Sequence, residues 1–270
     1  MQKFINSIHD GEEISYDYHF LNTTNPTLVF LHGWCCNKSF WEYQVAHFSG
    51  DYNIINIDMV GHGESKSASR KEWSLDILAL DVLSVLQNEN AKKVVLVGHS
   101  MADNVMLYLV KHKDIDIKGI IGIDNFYQVA EPVSEELRKE VITYFEKDYL
   151  GGLKETVLGW FVDPEKDARL VNDIYNQMKV IPEEMSRAIG IYTLNDISYR
   201  HLKNSNIPIR IIACTKWTDD RATKLFNMFN DLEIRDMIPK SGHFPMIDTT
   251  QEFNDILQNV ISEIEQAVIA

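Results

Sequence analysis

Cysteine is scarce: the 270 residues contain three, and two of these, Cys35 and Cys36, are neighbours in sequence. Adjacent cysteines seldom meet the geometry of a disulfide, so no disulfide framework is expected and a reducing compartment, the cytoplasm, suits the chain best. Positive charge is also short, with 26 Lys and Arg against 40 Asp and Glu, a net charge of −14. That surface average repels nucleic acid phosphates and anionic lipid heads, and it excludes both as expected partners. No stretch approaches the roughly 20 uninterrupted apolar residues of a membrane span. The opening MQKFINSIHDGEE has no apolar core of signal-peptide length. Repeats and low-complexity tracts are absent as well, which leaves no linker between independent domains. The expected partner is a small-molecule substrate, with the oligomeric state open.

Short apolar runs that read as buried strands are present: LVFLHG at 28–33, IINID at 54–58, VVLVGHS at 94–100, GIIGID at 119–124 and IRIIAC at 209–214. Helical periods separate them near 39–49, 74–88, 101–112 and 220–229, with a last amphipathic helix over 250–267. This alternation predicts an α/β fold, a mostly parallel sheet with helices on both faces. A hairpin before residue 22 adds antiparallel strands. The rhythm breaks between Phe126 and Ser205, where four segments have helical pattern and none reads as a strand. The expected division is therefore a core of residues 1–125 and 206–270 with a helical cap of 126–205 inserted.

The chemistry concentrates at VVLVGHSMAD, a buried strand running directly into Ser100 and then into a helix. A serine on such a strained turn projects its hydroxyl above the sheet, with the N–H of Met101 at the helix N-terminus facing an oxyanion. Ala102 stands where a second glycine is usual, and Asp103 is less expected at a position that commonly takes a small residue. The plain alternative is an ordinary serine at a helix N-cap. The turn His32-Gly33-Trp34-Cys35-Cys36 would lie beside this elbow if the two strands are neighbours, making the Trp34 N–H a second oxyanion donor. Neither cysteine occupies an elbow, and both are read as packing. The base is expected on a late loop, and IPKSGHFPMID places His243 between a strand and the last helix. His32, His62 and His99 lie in turns and are read as structural.

A carboxylate must hold the imidazole, and two places compete for it. Asp124 ends the strand GIIGID, whereas Asp219 begins a helix several residues after IRIIAC. Helix capping equally explains the Asp219-Asp220 pair. Asp124 is preferred and Asp219 kept as the alternative. Cys35, Phe126, Tyr127, Trp160 and Phe244 are the expected pocket lining, with Trp34 beside them; ordinary packing is the rival reading for these side chains.

LHGW at 31–34, DMVGHGES at 58–65, VGHSM at 97–101 and GHFPM at 242–246, in this order and spacing, resemble the α/β-hydrolase superfamily over nearly the whole chain. The resemblance implies an eight-stranded, mostly parallel sheet and acyl transfer to water through Ser100, His243 and an acid. Ester hydrolysis is its default, with neither metal nor organic cofactor. Members with aspartate at the elbow include dehalogenases and epoxide hydrolases, from which Ser100 separates this chain.

A narrower likeness, carried by Gly33-Trp34-Cys35, GIIGIDNF, PIRII and HFPMID, is to the cofactor-free ring-cleaving dioxygenases of the same fold. It implies a His243-Asp124 dyad that takes a proton from the substrate, with Ser100 forming no covalent bond. The chain departs from that pattern at Cys36, where those enzymes carry histidine. A non-enzymatic binder of small molecules is the third class weighed, since a fold by itself proves no activity.

Overall fold

The computed structural model describes every residue except 22, 196–199, 201–204, 238–240 and 270. The expected end of the helical insertion and the start of the segment at 238–248 thus lie partly outside the described residues.

Eight strands form one sheet: β1 (Gln2–Asn6), β2 (Glu13–His19), β3 (Thr27–Leu31), β4 (Ile54–Ile57), β5 (Lys93–His99), β6 (Asp116–Ile123), β7 (Ile209–Ala213) and β8 (Leu232–Asp236). Their order is β1-β2-β4-β3-β5-β6-β7-β8, with β2 antiparallel to both neighbours and all other pairs parallel. The five apolar runs of the sequence are β3 to β7, and the hairpin is β1 and β2. Every residue of β3, β4 and β7 is buried, because a parallel strand covered on both faces has no solvent side. The edges read differently. β1 alternates exposed with half-buried residues, and β8 (LEIRD) is half-exposed, which is why it stands outside the apolar runs of the sequence.

Helix α1 (Glu42–Phe48) and the long α11 (Thr250–Ile269) pack on each other and against β4, β6 and β7. Helices α2 (Leu75–Asn88) and α3 (Ala102–Leu109) form a second layer against β1, β2, β5 and β6. Among the described residues no helix is long and apolar enough to cross a membrane. Beneath α2, the buried Arg70 guanidinium pairs with Asp81 at 2.6 Å and Asp10 at 2.7 Å, and Ser7 donates to the same Asp81 carboxylate at 2.6 Å. This network ties the first hairpin to the second helical layer.

Between β6 and β7 the chain leaves the sheet. It forms the short α4 (Tyr127–Ala130), then α5 (Glu135–Lys147), α6 (Tyr149–Gly159), α7 (Ala168–Met178) and α8 (Glu183–Asn195). Ser134 caps α5 through the Leu137 N–H, and Asp148 caps α6 through the Gly151 N–H, as short polar side chains at helix starts do. After β7 come α9 (Asp219–Met228), β8 and the one-turn α10 (Pro245–Asp248).

The order of the strands places the site. From β3 the chain moves one way to β4 and then returns to β5 on the other side, so the connections diverge at β3 and β5. Leu31 lies opposite Gly98 across that pair. In open α/β sheets the crevice at such a divergence is where ligands bind.

Candidate active site

At the end of β5 the backbone of Ser100 is in the left-handed region, with φ of 51°. Few residues other than glycine adopt this region, and strain there marks functional turns. Its neighbours must be small. A Cβ on Gly98 would lie 2.6 Å from Met106 and 2.9 Å from the Ala102 methyl, and one on Gly33 would lie 2.8 Å from His99 Nδ1 and 3.2 Å from Ser100 Cβ. Ala102, the departure from a second glycine, is fully buried with its methyl directed at Gly98. Asp103 is buried too and has a definite partner: its Oδ2 accepts from the Phe126 N–H at 2.9 Å, and its Oδ1 accepts from the Asn104 N–H at 2.7 Å. It fastens the elbow helix to the loop that follows β6.

Asp124 opens that loop, again with a left-handed backbone, φ of 46°. His243 Nδ1 donates to its Oδ2 at 2.6 Å. Oδ1 accepts from the Tyr127 hydroxyl at 2.7 Å and from the backbone N–H groups of Thr215 at 2.9 Å and Cys214 at 3.0 Å. Burial alone would raise this carboxyl; the hydrogen bond and charge of His243, then Tyr127 and the Thr215 amide, outweigh it and hold Asp124 below the ordinary carboxylate range. The side chain stays ionised and is locked in one orientation.

His243 is held from three sides. Its N–H donates to the Trp160 carbonyl at 2.8 Å, and its carbonyl accepts from His99 Nε2 at 2.7 Å. The Trp160 ring lies over the imidazole, centroids 4.7 Å apart. Burial, with His243 beside it, drives the His99 pKa well down, so His99 is neutral and its Nε2 carries the proton it donates. His32 is lowered to about 4 by burial, and its neutral ring donates to the Gly33 carbonyl at 2.9 Å while accepting from the Met59 N–H at 3.1 Å. His62, lowered to about 3 by burial, packs at a tilt against His32 with ring centroids 4.8 Å apart. All three do structural work.

Ser100 and His243 line one cavity of about 460 Å3, and Ser100 also faces a second of about 640 Å3. Among the described residues no hydrogen bond joins the Ser100 hydroxyl to His243; such contacts are often loose before substrate binds. Among the same residues the N–H groups of Trp34 and Met101 have no hydrogen-bond partner, whereas the Ser100 N–H is tied to the Ile123 carbonyl at 3.0 Å. The Trp34 indole N–H donates to the Ser186 carbonyl at 2.9 Å, which links this turn to α8.

Of the expected pocket lining, Trp34, Tyr127 and Trp160 face the cavities. Cys35, Phe126 and Phe244 do not. Cys35 (φ 57°) and Phe126 (φ 66°) have left-handed backbones and fully buried side chains: the Cys35 thiol lies 3.0 Å from Ser186 Oγ, and Phe126 packs edge-on against Phe229. Burial pushes the Cys35 thiol up to about 12, which removes it as a nucleophile. Phe244 sits behind His243 among Phe40, Trp160 and Phe161. Asp219, the alternative acid, is exposed in the first turn of α9, whose cap is Thr218. The carboxylate bonded to His243 is that of Asp124.

Residues 28–256 match the model of the alpha/beta hydrolase family. The chain belongs to that family. A putative esterase/lipase of Haemophilus influenzae is 33% identical over 113 residues, which is 41% of this chain and 39% of that protein. Epoxide hydrolase 3 of Xenopus tropicalis is 33% identical over 93 residues, 34% of this chain and 25% of that protein. The matches thus span well under two thirds of these relatives' own lengths. Among solved structures, a thermophilic esterase from Thermogutta terrifontis superposes with a TM-score of 0.80 at 16% identity, over 98% of this chain and 99% of the other. An enol-lactonase from Burkholderia xenovorans gives 0.79 at 18%, over 94% and 98%. At such identities these two show the fold alone, and they share it across nearly their whole length.

Proposed function

We propose that this hydrolase cleaves a small carboxylic ester, or a related acyl compound, through a Ser100-His243-Asp124 triad and an acyl-enzyme. The observation that carries this reading is the 2.6 Å His243-Asp124 pair on the wall that Ser100 shares, with Ser100 held on its left-handed turn. His243 takes the Ser100 proton as Oγ bonds to the acyl carbon, and the carbonyl oxygen becomes an oxyanion. The N–H groups of Trp34 and Met101, which have no partner among the described residues, receive that charge; losing one such donor typically costs about 10²- to 10³-fold in rate. The C–O bond to the leaving group then breaks, and its oxygen takes the proton from His243. Water, deprotonated by the same imidazole, releases the acid and restores Ser100. Asp124 keeps Nδ1 protonated, so Nε2 is free to accept. Helices α5 to α8 act as the cap that covers the acyl group.

Several relatives are named epoxide hydrolases, but a serine nucleophile forms an acyl-enzyme from an ester, whereas epoxide opening in this fold is the work of an elbow aspartate. The test is a panel of p-nitrophenyl esters of increasing acyl length, with the Ser100→Ala variant in parallel. Turnover that disappears in Ser100→Ala is the expected result. Substantial hydrolysis by that variant would remove the covalent route. A folded protein silent across the panel but consuming oxygen with a heteroaromatic substrate would replace it by the proton-abstracting dyad.

A further inference from the structure

Ser100 stands between two cavities of opposite character. The larger, about 640 Å3, is bounded by Trp34 and Met101 on the sheet side and by Val141, Phe145, Ile191 and Leu194 of the insertion, and its exposed wall is mostly apolar. The smaller, about 460 Å3, has a wall more polar than apolar; Tyr127, Gln128 and Arg221 border it beside Asp124 and His243. Met101, Trp160 and Thr193 border both. Only the smaller one contains His243.

That asymmetry sets the direction in which an ester lies, given the serine-hydrolase reading on which this inference rests. When the tetrahedral intermediate collapses, the bond between acyl carbon and leaving oxygen breaks and that oxygen must take its proton from His243. The leaving group therefore lies on the side of His243, in the polar cavity. The acyl chain is left with the other direction, past Trp34 into the apolar one. We infer that the substrate class is esters of a medium-length apolar carboxylic acid with a small polar alcohol, and that Gly190 sets the acyl length. Gly190 lines the apolar cavity from α8, and a Cβ there would lie 3.6 Å from the Trp34 indole nitrogen, an ordinary van der Waals contact. A larger side chain at 190 occupies acyl space without a clash at the backbone.

Two isomeric esters separate direction from hydrophobicity. Ethyl hexanoate and hexyl acetate have the same atoms and carry their long chain on opposite sides of the carbonyl. Rates measured by titrating released acid should favour ethyl hexanoate in kcat/KM by at least about tenfold, since each buried methylene contributes up to about fourfold. In Gly190→Leu that advantage should fall by about tenfold. Gly190→Ala, which favours the helix, should shift the ratio the same way by less and covers the case in which leucine impairs folding. Equal rates for the isomers, or faster hexyl acetate, overturn the orientation. An unchanged ratio in both variants overturns the role of Gly190. Failure to hydrolyse either ester by the folded protein, or hydrolysis that survives Ser100→Ala, overturns the serine-hydrolase reading and this inference with it.

Discussion

The strand ends and the helical insertion meet at Ser100 but are built differently. Strands β3, β5 and β6 are buried almost throughout, and the groups that would do chemistry, Ser100 and Asp124, follow the last residues of two of them on strained turns. Helix α5 buries no residue completely, and it lines the apolar cavity with side chains that are exposed or half-exposed. Reactive groups are thus placed by backbone that cannot shift without breaking the core, while one side of the space for substrate is shaped by a helix, α5, that contributes no buried residue to it. Changes at the strand ends should abolish turnover or stability, and changes in the insertion should alter substrate choice.

The largest effect expected from that contrast, after loss of Ser100 itself, is at Asp124. Asp124→Asn should lower kcat by about 10³- to 10⁴-fold, because the wrong imidazole tautomer is then favoured. Asp219→Asn should stay within about twofold of the parent. Steady-state kinetics of the two variants side by side test both statements. Next is Asp103→Ala, which leaves the buried Phe126 N–H without its partner and should cost about 1–3 kcal/mol in urea unfolding. A loss below a few tenths would show that Asp103 does not fasten the elbow. Smaller again is Tyr127→Phe, which removes one of the hydrogen bonds to Asp124 and should reduce kcat by about three- to tenfold with KM little changed.

The weakest signal is in acid. Because Asp124 is held below the ordinary carboxylate range, the stability it contributes is complete above about pH 4 and is lost as pH falls through its folded value. Urea midpoints between about pH 5 and pH 3 should therefore fall less steeply in Asp124→Asn than in the parent.

Much of this was legible in the sequence, for physical reasons that differ by element. A strand buried on both faces must be an apolar run, so β3 to β7 stand out, and amphipathic period located α2 and α11 to within a few residues. Ser100 and Asp124 were readable because each directly follows a strand, and His243 because it lies on the late loop before the last helices. Side-chain direction was not readable. Cys35 and Phe126 follow strands as pocket residues would, yet a left-handed backbone turns each into the core, and a non-glycine residue type gives no sign of that. The use of Asp103 was equally hidden: its partner Phe126 lies 23 residues away, and only the fold brings the two together. The same holds for Trp160, whose carbonyl and ring both meet His243 from the insertion.

Everything proposed for catalysis turns on a covalent bond at Ser100. The direct measurement is mass spectrometry of the protein quenched during turnover of a slowly deacylated p-nitrophenyl ester, with peptide mapping of the adduct. A single acyl group on the peptide containing Ser100, absent from Ser100→Ala, is the predicted result. Steady turnover with no acyl adduct at any quench time, and a Ser100→Ala variant that still turns over, would contradict it.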